Sequence, residues 1–192
     1  MSVTTQTQTI EKGMEPSTWE FDPAHSFVEF SVRHLMISTV TGRFRSFKAT
    51  IALDETSIEN SHIQAEIDAA NIDTGVADRD NHLRSADFFD VANHPTIMFR
   101  STEIRHHGEG SGKIRGELTI RGVTRPVTLD VTDLGEIRDP WGNRRRGFTA
   151  ETTLSRKDFG MMWNQVLDTG GVLVGDKVKV ILNIEAVEKR EP

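Results

Sequence analysis

Apolar side chains recur at every second position over unusually long stretches of this chain. In residues 177–188, Val178, Val180, Leu182, Ile184 and Ala186 fall on one side, and Lys177, Lys179, Ile181, Asn183 and Glu185 on the other. A period of two marks a strand with one apolar and one solvated face. At about 3.3 Å per residue this run is roughly 33 Å long, well beyond the common strand of about five or six residues. Comparable alternation occupies residues 25–34, 42–53, 61–72, 95–107, 113–121, 125–134 and 145–155.

Other segments break the rhythm. Trp19-Glu20-Phe21 reads as a short first strand stopped by Asp22-Pro23. Residues 35–40 read as one helical turn. In 73–93, Val76, Leu83, Ala86 and Phe89 take helical spacing, with Asp73 and Thr74 as candidate caps. Residues 157–175 are irregular and rich in glycine. Most connections are hairpins, which require antiparallel neighbours. Long one-sided strands joined this way curl round their apolar face. The predicted fold is therefore all-β: one antiparallel barrel of about eight long strands, with one or two short helices capping an end.

Phase assigns the inward side chains. They are Val28, Phe30 and Val32 in the second strand, then Ile63 and Ile67, and Phe99 with Ile97. Further along they are Leu118, Leu129, Phe148, Val180, Leu182 and Ile184. Met161 and Trp163 lie in the irregular crossing, as an adaptable apolar lid or as a plug of a barrel end.

Composition narrows the function. The chain has 192 residues, no cysteine and a net charge of −6. One domain is expected at this length. Disulfides and thiolate metal sites are excluded, and a nucleic-acid binder would carry a basic face. No stretch is long and apolar enough to span a membrane. Residues 1–17 lack a basic segment followed by an apolar run, so they read as a disordered tail and the protein as cytoplasmic. The folded domain is set at residues 18–189.

Candidate chemistry is sparse. Gly108-Glu109-Gly110-Ser111-Gly112-Lys113 superficially suggests a phosphate loop, but the first glycine, the hydroxyl after lysine and the following helix are missing, which leaves a hairpin tip. Seven histidines contain no H-x-H or H-E-x-x-H spacing. No nucleophile motif occurs. Arg144-Arg145-Arg146 is a solvated strand start or a positive rim for an anionic head group. The head-group candidates are His34, Arg144 and Arg146.

Several blocks together resemble the YceI-like family. They are 19–26 (WEFDPAHS), 28–34 (VEFSVRH), 83–90 (LRSADFFD), 94–99 (HPTIMF), 116–127 (GELTIRGVTRPV) and 156–160 (RKDFG), in the family's order. The resemblance runs from about Trp19 to Val187. It implies a lipocalin-like barrel that holds an isoprenoid (a polyisoprenoid, a quinone-like lipid or a prenyl pyrophosphate) or a similar amphipathic lipid, without enzymatic activity and without a further cofactor. In that light Ala65, Ala69, Gly116 and Ala186 read as space left for a guest. Many members are exported to the periplasm, whereas this sequence shows no export signal. Transient membrane contact and a homodimer through an unpaired edge or the Trp141 tip are compatible partners. Two other readings stand beside this one. One is an enzyme with a histidine (His25, His34 or His94) and a carboxylate at the barrel mouth; the other is a metal- or haem-binding barrel.

Overall fold

The computed structural model describes residues 16–168 and 170–189. Residues 1–15 of the expected tail lie outside the described residues, but Ser17, assigned to that tail, is already paired with Leu53 in a strand.

Among the described residues, eleven strands form one sheet. They are β1 (Ser17–Phe21), β2 (Phe27–His34), β3 (Ser38–Phe44), β4 (Phe47–Leu53), β5 (His62–Asp68) and β6 (Ile72–Asp73), followed after α1 (Ala77–Arg84) by β7 (Thr96–Gly108), β8 (Ser111–Ile120), β9 (Val123–Arg138), β10 (Arg144–Ser155) and β11 (Val174–Glu188). Strands β1, β4, β5, β7, β8, β9, β10 and β11 follow one another, and β1 pairs back onto β11, which closes an antiparallel barrel. The expected barrel is thus present, and the short β1 is one of its eight staves.

Strand β11 holds two partners on one edge. Its end at Ala186–Glu188 pairs with β1, and the stretch 174–183 pairs with β2. Strands β2, β3 and β6 continue from there as a flap beside the barrel. The run at 42–53 is therefore two strands, broken at Arg45-Ser46, where Arg45 and Ser46 bond to Asn71 and Asp68 instead of to a ladder. The expected helical turn at 35–40 is a tight hairpin loop at 35–37, with Leu35 and Met36 in left-handed backbone (φ 51° and 61°).

Helix α1 is shorter than its spacing suggested. Its N-cap is Val76, which offers no side-chain cap. Asp80 instead reaches back to accept from the Thr74 amide (2.9 Å) and hydroxyl (2.6 Å), so Thr74 donates where capping was expected.

Two bulges set the phase of the wall. In β7, Ile97 and Ser101 are buried, and Met98 is exposed. A register shift between Ser101 and Glu103 then turns Ile104 and His106 inward. In the β9–β10 pair, Gly147 faces Gly135 but Phe148 faces Asp133, so Leu134 is squeezed out and exposed.

Apolar packing concentrates at the two ends. At one end Trp19, Ile51, Leu53 and Ala186 are buried together. At the other, Phe44, Ile72, Ile97, Ile120, Phe159 and Met161 form a solid plug. Arg156 organises that plug. It is only 4% exposed, and it donates to the carbonyls of Met161 (2.6 Å), Trp163 (2.8 Å) and Gly175 (2.9 Å) and pairs with Asp176 at 3.2 Å.

Candidate functional site

Between plug and open end the barrel encloses a cavity of about 710 Å³, within the range of small-molecule sites. Alternation builds its wall. Strand β10 contributes Phe148, Ala150, Thr152 and Leu154; β11 contributes Val180, Leu182 and Ile184; β9 contributes Val127, Leu129 and Val131. Alternation turns these side chains into the bore, and nearly all of them are hydrocarbon.

The sequence assignments sort cleanly. Val28, Ile63, Ile67, Phe99, Leu118, Leu129, Phe148, Val180 and Leu182 all line the cavity. Phe30 and Val32 do not. They lie where β2 has left the closed barrel, and the Phe30 ring packs on Phe44 at 5.6 Å between centroids and over Gly42. Met161 sits in the plug, whereas Trp163 packs beside it, edge-on to His82 at 4.7 Å and tilted on Phe88 at 5.4 Å; neither lines the cavity.

Of the four small residues read as room for a guest, only Ala65 lines the cavity. Ala69 is packed into the plug and Ala186 beside Trp19. Gly116 admits the ring of Phe99: a Cβ there would lie 2.4 Å from Phe99 Cζ. Space left by these three is filled by the protein's own side chains.

The open end is polar. It is framed by the loop carrying Glu55 and Glu59, by the β7–β8 hairpin with Arg105, His106 and Lys113, and by Asp133 and Arg146. Arg146 Nε and Nη2 meet Asp133 at 3.1 and 2.5 Å, and its guanidinium lies 5.7 Å from the centre of the Phe148 ring. Burial pushes the Asp133 carboxyl up, but hydrogen bonds from Arg146 and the Gly135 amide outweigh this and hold it below its ordinary range.

The other head-group candidates are elsewhere. Arg144 is absent from the cavity lining. It bonds Glu136 through two nitrogens (2.7 and 2.8 Å), Glu188 at 2.8 Å and Glu55 at 2.8 Å, and it stacks over Trp19 at 5.1 Å. It is a rivet of the rim and offers no free positive charge. His34 ends β2 beside Val174, away from the mouth.

None of His25, His34 and His94 lines the cavity. His25 meets Asp22 at 3.0 Å with its side chain 61% exposed, and half-buried His94 stands 4.0 Å from Asp90. Asp22, His25 and Glu185 do place ligand-type atoms within 4.8 Å of one another, but Arg145 already supplies the cation there, donating to Asp22 at 2.7 Å and to Glu185. This set therefore fits a guanidinium rather than a metal ion.

Sequence reasoning missed Phe21, Phe47, Ile51, Ile104, His106 and Asp133 as lining residues. Asp133 carried a usable signal. It continues the apolar phase of Val127, Leu129 and Val131, and a carboxylate on that face demands a partner, which Arg146 supplies from the phase of Phe148.

An antiparallel barrel with a hydrocarbon bore, one plugged end and one polar mouth defines a binding-type protein. The chain belongs to the YceI-like family, whose domain is matched over residues 19–186. A UPF0312 protein of Ectopseudomonas mendocina is 39% identical over 165 residues, covering 86% of this chain and 83% of its own length. The crystal structure of Burkholderia cenocepacia BcnA is similar with a TM-score of 0.76 at 25% identity, over 86% of this chain and 98% of that one. A polyisoprenoid binding domain from Saccharophagus degradans shares the fold with a TM-score of 0.65 at 15% identity, over 89% of this chain and 98% of its own. No helix among the described residues is long and apolar enough to cross a membrane.

Proposed function

We propose that this protein binds, stores or carries an isoprenoid or similar amphipathic lipid, without chemical conversion, with the tail in the bore and the polar end at the mouth. The observation that carries this reading is the cavity itself, about 710 Å³ with a wall of aliphatic and aromatic side chains opening only onto polar groups. At about 30 Å³ per heavy atom, the share of one water in the liquid, it suits a ligand of on the order of twenty heavy atoms. Burying roughly 400 Å² of hydrocarbon at about 25 cal/mol per Å² favours binding by on the order of 10 kcal/mol before the entropic losses of association.

Family membership supports the reading, as does the fold shared with the polyisoprenoid binding domain of Saccharophagus degradans. The same proposal takes the ligand as the only bound group and the protein as cytoplasmic, in passing contact with the membranes where such lipids dissolve. Cell fractionation tests the compartment.

Organic extraction of the purified protein, followed by mass measurement, tests the function. A stoichiometric prenyl or fatty ligand is expected, also visible as a mass increment in native spectra. Protein that emerges lipid-free and fails to take up an added prenyl alcohol overturns the reading.

A further inference from the structure

We propose that the β9–β10 hairpin docks the barrel on a lipid bilayer, with Leu134, Ile137 and Trp141 set shallowly among the headgroups. The inference rests on the lipid-carrier reading for its purpose, and it adds the surface through which the protein meets its source of lipid.

The bulge in the β9–β10 pair builds this surface. Strand β8 pairs with β9 no further than Ser111 with Thr132, so β9 runs on past the mouth with β10 alone. Ile137 lies opposite Arg145, on the face turned away from Phe148 and the bore. The register shift after Gly147 brings Leu134 to the same face, since a Cβ on Gly147 would lie 3.3 Å from Leu134 Cβ. Trp141 stands at the tip. In chain order the three side chains are 64, 67 and 77% exposed. Leu134 directly follows Asp133 of the cavity mouth, so the apolar face is continuous with the opening.

The charges of the hairpin agree with a bilayer. Both of its carboxylates are committed, Glu136 to Arg144 at 2.7 Å and Asp139 to Arg145 at 2.8 Å. Arg138 is exposed, has no ion pair among the described residues, and donates to the Gly142 carbonyl at 3.4 Å. The hairpin thus offers an indole, two aliphatic side chains and one unpaired cation, residue types that settle at a membrane–water interface. One such cation on a chain of net charge −6 leaves apolar insertion as the driving force, so a zwitterionic surface suffices. Glu59 at the mouth and Glu109 at the β7–β8 tip have no ion pair among the described residues and resist transfer into lipid, which confines the contact to the β9–β10 hairpin. Docking stays at headgroup depth, where water reaches the open edge of β9. A second copy of the chain fits this face less well. The three side chains present roughly 400 Å², against about 800 Å² per partner in a stable protein interface.

The test is co-sedimentation of the full chain with phosphatidylcholine vesicles, together with quenching of its tryptophan fluorescence by brominated phosphatidylcholine. Binding and quenching are expected, with little change when phosphatidylglycerol is added or salt is raised. Trp141→Glu should weaken partitioning by about tenfold or more. Trp141→Phe should keep the binding and lose most of the quenching, because Trp19 is buried and Trp163 packs beside the plug. Ile137→Glu, on the same face, repeats the measurement should Trp141→Glu fail to fold. Absence of association with either vesicle overturns the inference, as does association that requires the anionic lipid or survives both glutamate substitutions. A dimer in sedimentation equilibrium that these substitutions split into monomers assigns the hairpin to a second copy, which also overturns it. Uptake of a prenyl alcohol from solution reads the carrier function separately, because it needs no bilayer. Uptake without vesicle binding removes the docking inference alone, and vesicle binding without uptake removes the carrier reading alone.

Discussion

The ring of Phe99 lies against Gly116 on the neighbouring strand, so close that a methyl group on Gly116 would come within 2.4 Å of Phe99 Cζ and 2.5 Å of the Arg100 carbonyl oxygen. The glycine leaves the room that the ring occupies. Gly116→Val is expected to destabilise the protein by about 2–3 kcal/mol, because a backbone oxygen as well as a side chain is in the way. Denaturant midpoints at constant slope measure this. A second substitution, Phe99→Leu, should recover part of the loss by removing the side-chain contact while leaving the backbone one. Full recovery would show that the carbonyl contact is unimportant.

Ala65 lines the cavity opposite Phe99 and Ala49 in the strand ladders. Ala65→Phe projects a ring into the bore, where space is available, and should cost stability only modestly, less than about 1–3 kcal/mol. Uptake of a prenyl alcohol should fall by about tenfold or more, since the tail loses the volume that holds it. Retained uptake together with an unchanged melting temperature would place the ligand outside this cavity.

Arg156 holds the plug by donating to the carbonyls of Met161, Trp163 and Gly175, with a longer bond to Val174 at 3.5 Å. Arg156→Met keeps most of the volume and removes the donors. Burial pulls the Arg156 pKa down, with Asp176 opposing, so the side chain is costly to bury and its worth lies in its hydrogen bonds. The expected loss is about 3 kcal/mol. Amide exchange should accelerate first in 161–164 and 173–176, before the β8–β9 ladder.

Acid should unfold the rim before it affects the neutral range. A hydrogen bond from the Arg145 guanidinium is the largest influence on Asp22; burial opposes it and His25 assists, and the carboxyl is held at about 2. Asp139, bonded to the same arginine, is also held well below the ordinary carboxylate range. A carboxylate whose folded pKa lies below its unfolded value of about 3.9 stabilises the fold above that pH and loses the contribution as pH falls toward the folded value. The melting temperature should therefore be level from about pH 7 to 5 and decline between about pH 4 and 2. Arg145→Gln should lower the plateau and flatten the decline. An acid limb identical in that variant would assign the transition to other carboxylates.

The parts of the molecule that could be read from the chain are those governed by nearest neighbours along a strand. The alternation in 113–121, 125–134, 145–155 and 177–188 returned strands β8 to β11 and their inward side chains, because a strand's faces are fixed by parity alone. Parity fails wherever a residue is inserted. The bulge after Ser101 turns Ile104 and His106 into the bore, and no local pattern announces it, since the extra residue is defined only by the partner strand. The same holds for β2. Val28, Phe30 and Val32 share one face, yet only Val28 lines the cavity. Phe30 packs instead on Phe44, a residue of β3, which continues the sheet beside the barrel.

The sequence by itself determined a long-stranded antiparallel barrel with an oily side, because hydrophobic periodicity is a one-dimensional property of the chain. The tertiary structure alone decided which small residues leave room and which are filled, and which arginines are already paired. Gly116 is covered by a ring from another strand, and Arg144 is neutralised by carboxylates from three separate segments. Volume and charge balance are sums over neighbours in space, and those neighbours are distant in sequence.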